Sequence, residues 1–198
     1  MKIKQIITQN FGTNVYLFET DKSVVVVDPG ENAAAVLDLA KTFNKPLKYV
    51  LLTHAHYDHV GAVTELQEQV GAKVYMHKNE LDNIIKGGYV FGKIGADVLL
   101  NTEDSIQLDN LKIDILHTPG HSTGCVCYIV GDTMFCGDTL FLEEIGRCDL
   151  YSGDFDVIKS TLKKLFDMHR VDGIDYKILP GHGDPTTLSH EAKYNPYA

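Results

Sequence analysis

The run Thr53-His54-Ala55-His56-Tyr57-Asp58-His59 sets three imidazoles and a carboxylate within six positions, directly after the apolar stretch Lys48 to Leu52. These are the N and O donors that bind divalent transition metals. Histidines serving only the surface would not crowd four such groups at one strand end. His54 and His56, two apart on an extended loop, can turn to one side. Asp58 and His59 sit where a following helix begins and face a neighbouring point. Two pairs imply two metal positions, and a pair of ligands completes neither, so further His or Asp must follow.

Three later segments supply them: His121 in Thr118-Pro119-Gly120-His121-Ser122, Asp138 in Cys136-Gly137-Asp138-Thr139, and His182 in Pro180-Gly181-His182-Gly183. Singly, each reads equally well as a turn residue. Each follows a predicted strand, however, and strand-end loops on one edge of a sheet are where sites are built. All seven donors are N or O and none is Cys, so two divalent ions are expected, zinc first, with iron or manganese also compatible. Asp28 is a candidate acceptor for a ligand His, though it reads as well as a plain strand-end Asp.

The elements that must position these groups follow from hydrophobic period. Lys2 to Thr8, Val15 to Glu19 and Ser23 to Val27 predict an opening antiparallel meander, stopped by Asp28-Pro29-Gly30. Ala33, Val36, Leu37, Ala40 and Phe43 have helical spacing, closed by Asn44 and Pro46, and the strand Lys48 to Leu52 follows. Val60, Val63, Leu66 and Val70 predict one helix ending at Gly71, before the strand Lys73 to His77. Gly87 to Gly95 carries four glycines around Tyr89, Phe91 and Lys93 and reads as a mobile surface loop and a candidate lid. Strands are predicted at Ser105 to Leu108, Leu111 to Leu116, Val126 to Val130, Thr133 to Cys136 and Tyr176 to Leu179, with a last helix over Phe155 to Met168. Two β-rich halves, each with helices, imply an α/β fold with two sheets face to face and helices outside.

Composition sets the limits. The chain has 198 residues, 44% hydrophobic, which fits one domain over residues 1–198. Its 18 basic and 27 acidic residues give a net charge of −9, the wrong sign for a nucleic-acid partner. The N-terminal stretch lacks the apolar core and cleavage site of a secretory signal, and no 18-residue apolar run follows, so no membrane partner and a cytoplasmic location are expected. Cys125, Cys127, Cys136 and Cys148 form no CxxC pair and read as reduced, mostly buried thiols.

The HxHxDH string, the early Val26-Val27-Asp28-Pro29-Gly30, the three later segments and the ending Pro180-Gly181-His182-Gly183-Asp184-Pro185-Thr186-Thr187 together resemble the metallo-β-lactamase superfamily. That resemblance spans nearly the whole chain and implies an αββα sandwich of two mixed sheets. It also implies His54, His56 and His121 on a first ion, Asp58, His59 and His182 on a second, and Asp138 bridging both. Gly137-Asp138-Thr139-Leu140-Phe141 with Ile145-Gly146-Arg147 is similar to the glyoxalase II branch, the hydroxyacylglutathione hydrolases, in its short single-domain form. The implied reaction is hydrolysis of a small acyl thioester by a hydroxide held between the ions, with Asp58 as the catalytic residue that orients it and accepts its proton. Arg147 is implied to meet a substrate carboxylate, a structural ion pair being the equal alternative; the Gly87 to Gly95 loop, through Tyr89 and Lys93, is expected to complete substrate recognition. Here 16 residues follow His182, and no counterpart of the glutathione-gripping helical region of full-length glyoxalase II is expected among them. The rival readings are a persulfide dioxygenase-like oxidoreductase with one iron on His54, His121 and Asp138, or a hydrolase of another ester or lactone.

Overall fold

A computed structural model describes residues 1–101 and 105–198. In chain order the first half holds β1 (Ile3–Ile7), β2 (Asn14–Glu19), β3 (Val24–Val27), α1 (Ala33–Lys41), β4 (Leu47–Leu51), α2 (Tyr57–Val60), α3 (Val63–Val70), β5 (Lys73–His77), α4 (Glu80–Lys86) and β6 (Val98–Leu100). The second half holds β7 (Ser105–Leu108), β8 (Leu111–His117), β9 (Val126–Val130), β10 (Thr133–Gly137), a small hairpin β11 (Leu140–Phe141) and β12 (Glu144–Ile145), α5 (Phe155–Arg170), β13 (Lys177–Pro180), β14 (Thr186–Thr187) and α6 (Leu188–Tyr194).

Both large sheets are mixed. The first runs β1-β2-β3-β4-β5-β6, antiparallel through β3 and parallel from there. The second runs β14-β13-β10-β9-β8-β7, with only β10 and β13 parallel. Strand alternation divides the core into layers. Val24 and Val26 point to α1 and α3, whereas Val25 and Val27 point to the other sheet, where Phe18, Leu51, Tyr128, Phe135 and Leu179 fill the interface. Met134 and Cys136 turn the opposite way from Phe135 and pack with Ile158, Leu162 and Leu165 of α5 and Leu188 of α6. Burial on both faces explains why β3 reads as an unbroken valine run. Each such side chain taken fully from water contributes about 1.5–3 kcal/mol. The result is the expected four-layer αββα sandwich.

The sequence reading needs correction in the first half. The helix expected over Val60 to Val70 is two helices, α2 and α3, because the Ala62 N–H donates to the Pro29 carbonyl at 2.9 Å instead of continuing the helix, while Gly61 packs closely on Gly30. The Gly87 to Gly95 segment is not loose. Phe91 is buried and pairs with His56 in an isolated bridge, and Gly92 N–H donates to the Ala55 carbonyl at 3.0 Å. Its glycines permit close packing, since a Cβ on Gly92 would strike Val60 at 2.1 Å. Hydrophobic periodicity did not reveal α4, β6 or α6, which are short.

Candidate metal centre

All seven donors follow the C-terminal ends of β4, β8, β10 and β13, five in loops and two in the helical turn after β4, and the folded chain brings them to one edge of the sandwich. His54 and His56 lie in the stretch between β4 and α2, and Asp58 and His59 in the first turn of α2. His121 follows β8, Asp138 follows β10, and His182 follows β13. Backbone bonds fasten these loops across the sheets: Val126 N–H to Thr53 O at 2.9 Å, and Asn14 N–H to Gly181 O at 2.7 Å. Asn14 Nδ2 donates further to the Pro180 and Gly183 carbonyls at 3.0 and 2.8 Å, gripping the turn that carries His182.

Two groups of side chains converge. In the first, His121 Nε2 stands 3.2 Å from His54 Nε2 and 2.8 Å from His56 Nδ1. In the second, Asp58 Oδ2 stands 3.5 Å from His59 Nε2 and 3.2 Å from His182 Nε2. Within each trio the ligand atoms lie within 4.8 Å of one another. Asp138 stands between them, Oδ1 at 3.3 Å from His59 Nε2 and Oδ2 at 3.5 and 3.6 Å from His121 and His182. Gly181 makes room for it: a Cβ there would fall 2.2 Å from Asp138 Oδ1 and 2.8 Å from the His59 ring.

The outer hydrogen bonds fix the tautomers. Asp28, held at φ +48° beyond β3, accepts from Thr53 N–H at 2.8 Å, Thr53 Oγ1 at 2.6 Å and His59 Nδ1 at 3.1 Å. Thr53 has then donated its proton, so it accepts from His54 Nδ1 at 3.0 Å. His121 Nδ1 donates to the Arg147 carbonyl at 2.7 Å. The inward Nε2 atoms of His54 and His121 are therefore lone pairs facing each other across 3.2 Å. Among the described residues, the buried His59 Nε2 and Asp138 Oδ1 have no hydrogen-bond partner.

Electrostatics point the same way. Burial, followed by neighbouring histidines, holds His54 far below the usual histidine value and His56 down to about 3. Burial also lowers His121, against the pull of Asp138. Burial opposes ionisation of Asp138, but the charges of His59, His121 and His182 outweigh it and hold its carboxyl far below the ordinary range. Burial likewise opposes Asp58, outweighed by its bond with His182 and the charge of His59. The first trio refuses protons while converging on one point, and the second sets carboxylates against imidazoles around another. Cations at the two points reconcile both, so these residues fit two divalent ions.

A cavity of about 420 Å³ opens over the cluster, lined by His56, Asp58, His121, Asp138 and His182, by Tyr57, Val90, Phe141, Ile145 and Leu150, and by Arg147. Tyr89 and Lys93 do not line it; Tyr89 is 92% exposed and Lys93 is exposed, while their neighbour Val90 faces the cavity. Arg147 is engaged by Asp149. Sequence reasoning missed Thr13, whose hydroxyl donates to Asp58 Oδ2 at 3.2 Å, and Glu80, whose carboxylate lies beneath the first trio. The apolar lining was also missed, because isolated Phe, Ile and Leu carry no signal that distinguishes a cavity wall from a core.

Comparison with known proteins agrees with this geometry. The family profile of the metallo-beta-lactamase superfamily matches residues 8–182. A probable metallo-hydrolase of Streptococcus pyogenes is 33% identical over 213 residues, covering 100% of this chain and 90% of that one. The hydroxyacylglutathione hydrolase GloC of Haemophilus influenzae is 32% identical, covering 100% and 98%. The crystal structure of TTHA1623 in a di-iron-bound form superposes with a TM-score of 0.84 at 33% identity, covering 98% of this chain and 100% of that one. With its four-layer sandwich, its two facing trios and a profile match over most of its length, the chain is a metal-dependent hydrolase and belongs to the metallo-β-lactamase superfamily.

Proposed function

We propose that the protein is an acyl-thioester hydrolase of the glyoxalase II type, working with two divalent ions. The observation that carries this reading is the pair of convergent trios facing each other across Asp138 at the floor of an open, largely apolar cavity. The similarity to GloC supports the thioester class. Zinc is the ion assigned first, and the di-iron form of TTHA1623 keeps iron a candidate for an all-N/O donor set.

His54, His56 and His121 would hold one ion and Asp58, His59 and His182 another, which would supply Lewis acidity toward an acyl carbonyl and a water of lowered pKa. The chain's own residues do the rest. Asp58 Oδ2 is aimed into the site by the Thr13 hydroxyl and His182, and it orients the attacking water and takes its proton. Asp28 and the Arg147 carbonyl keep His59 and His121 in the tautomer that presents Nε2. Tyr57, Val90, Phe141, Ile145 and Leu150 give the apolar part of a small acyl thioester its wall. Among the described residues no helix is long and apolar enough to cross a membrane. The four unpaired cysteines suit a reducing compartment such as the cytoplasm.

The test is a hydrolysis panel run with elemental analysis. Close to two ions per chain are expected, with lactoylglutathione and smaller acyl thioesters cleaved at efficiencies within about tenfold of each other. A single iron with persulfide-dependent oxygen uptake would establish the dioxygenase reading instead. Cleavage of lactones, phosphodiesters or β-lactams without thioester cleavage would overturn the substrate class and leave the metal centre standing.

A further inference from the structure

We propose that Glu80 is a positioning residue that sets the spacing of the first metal trio by tying together the two loops that carry it. Glu80 opens α4, behind the site, and is fully buried. Its Oε2 accepts the Ala55 N–H at 2.9 Å, between His54 and His56. Its Oε1 accepts the Ser122 hydroxyl at 2.6 Å and the Gly124 N–H at 2.9 Å, immediately beyond His121. Asn83 Nδ2 donates to the same oxygen at 2.8 Å. One carboxylate thus joins a loop of the first sheet to a loop of the second, at the place where His56 Nδ1 and His121 Nε2 come within 2.8 Å.

The chemistry calls for a carboxylate. All four partners donate, and an ionised carboxylate accepts at both oxygens without offering a proton back. A Gln at the same place turns one N–H against a backbone N–H, whichever way its amide is flipped. The site is also closed to adjustment, since a Cβ on Gly124 would lie 2.5 Å from Glu80 Oε1. The second trio is braced separately, His59 by Asp28, Asp58 by Thr13 and the His182 turn by Asn14. Glu80 therefore governs one ion's geometry and not the other's, which a merely structural buried carboxylate would not do.

The experiment measures zinc affinity by chelator competition on full-length, metal-stripped protein. Glu80→Gln is placed in two backgrounds: His182→Ala, which leaves the first trio intact, and His121→Ala, which leaves the second. In the first background Glu80→Gln is expected to weaken zinc by at least about tenfold, and in the second by less than about threefold. Leu162→Ala, on the buried face of α5, is the control and should lower the melting temperature with no such split. If Glu80→Gln gives no cooperative melting transition, Ser122→Ala replaces it; it removes one donor, and the same split is expected at smaller size. Equal losses in both backgrounds, or no loss in the first, would overturn the assignment. Failure of the parent protein to bind zinc would overturn the metal centre itself, and this proposal with it.

Discussion

Asp149 holds Arg147 in a two-pronged ion pair, Arg147 Nε and Nη2 each 2.7 Å from a carboxylate oxygen. Both side chains are more than half exposed, so the pair adds little to stability. Its effect is on charge. Among the described residues Arg147 is the only Lys or Arg lining the cavity, and Asp149 neutralises it beside Asp58 and Asp138. An acyl thioester bearing a carboxylate must compete with Asp149 for the guanidinium.

Asp149→Asn should therefore lower KM for carboxylate-bearing thioesters by about threefold to tenfold and leave neutral ones unchanged. Arg147→Ala should raise KM for the same anionic substrates, and should abolish the gain when combined with Asp149→Asn. Kinetics of the two single variants and the double variant on one anionic and one neutral thioester decide it. A shift common to both substrates would remove charge recognition from this pair.

Asp58→Ala should cut thioester turnover by at least about a hundredfold, because it removes a ligand of the second trio and the group placed to take the proton. The circular dichroism spectrum and melting of the chelated protein should stay close to those of the parent. Unchanged turnover would refute the role given to Asp58.

Asp138→Asn keeps size and hydrogen bonding but removes the negative charge that stands between the two trios. Both ions should weaken together in a chelator titration. Loss of one ion alone would show that Asp138 belongs to a single site.

The unloaded protein should lose stability as pH falls below about 6.5. Its sign follows from proton counting. An unfolded chain takes up protons on all five cluster histidines near pH 6.5. Folded, it refuses them on His54, His56 and His121, whose values are depressed mainly by burial. His59 and His182, raised against burial by Asp138 and Asp58, already hold theirs. Between about pH 6.5 and 5 the unfolded state thus binds more protons, and stability falls. Urea midpoints of chelated protein across that window measure it, and a midpoint rising toward acid would contradict the assignment.

Much of this was legible in the residue order. The HxHxDH string, together with Gly or Pro beside His121, Asp138 and His182, announced strand-end donors that the fold brings together, and alternation located most strands. The missing parts share a physical cause. Glu80 and Asn83 are the buried residues of α4, so that seven-residue helix turns polar groups inward and hydrophobic periodicity is silent. Glycines from Gly87 to Gly95 read as freedom, whereas Gly87 and Gly92 mark close approach to Phe91 and Val60. Tyr89 and Lys93 stood out by residue type, but the direction of a side chain in a loop depends on contacts such as the His56–Phe91 bridge that no local pattern encodes.

The division of ligands between the two sheets also makes the centre a checkpoint on assembly. Four donors hang from the first sheet and three from the second, so neither sheet alone could hold the two ions proposed for them. Because His182 lies beyond β13, a growing chain on the ribosome cannot complete the second trio until nearly all of the second sheet has been made. Ions that bind only the docked form add their binding free energy to the closure of one half upon the other. Metal supply during synthesis would then add to the stability of the closed sandwich, which forms without it, as well as serve its chemistry.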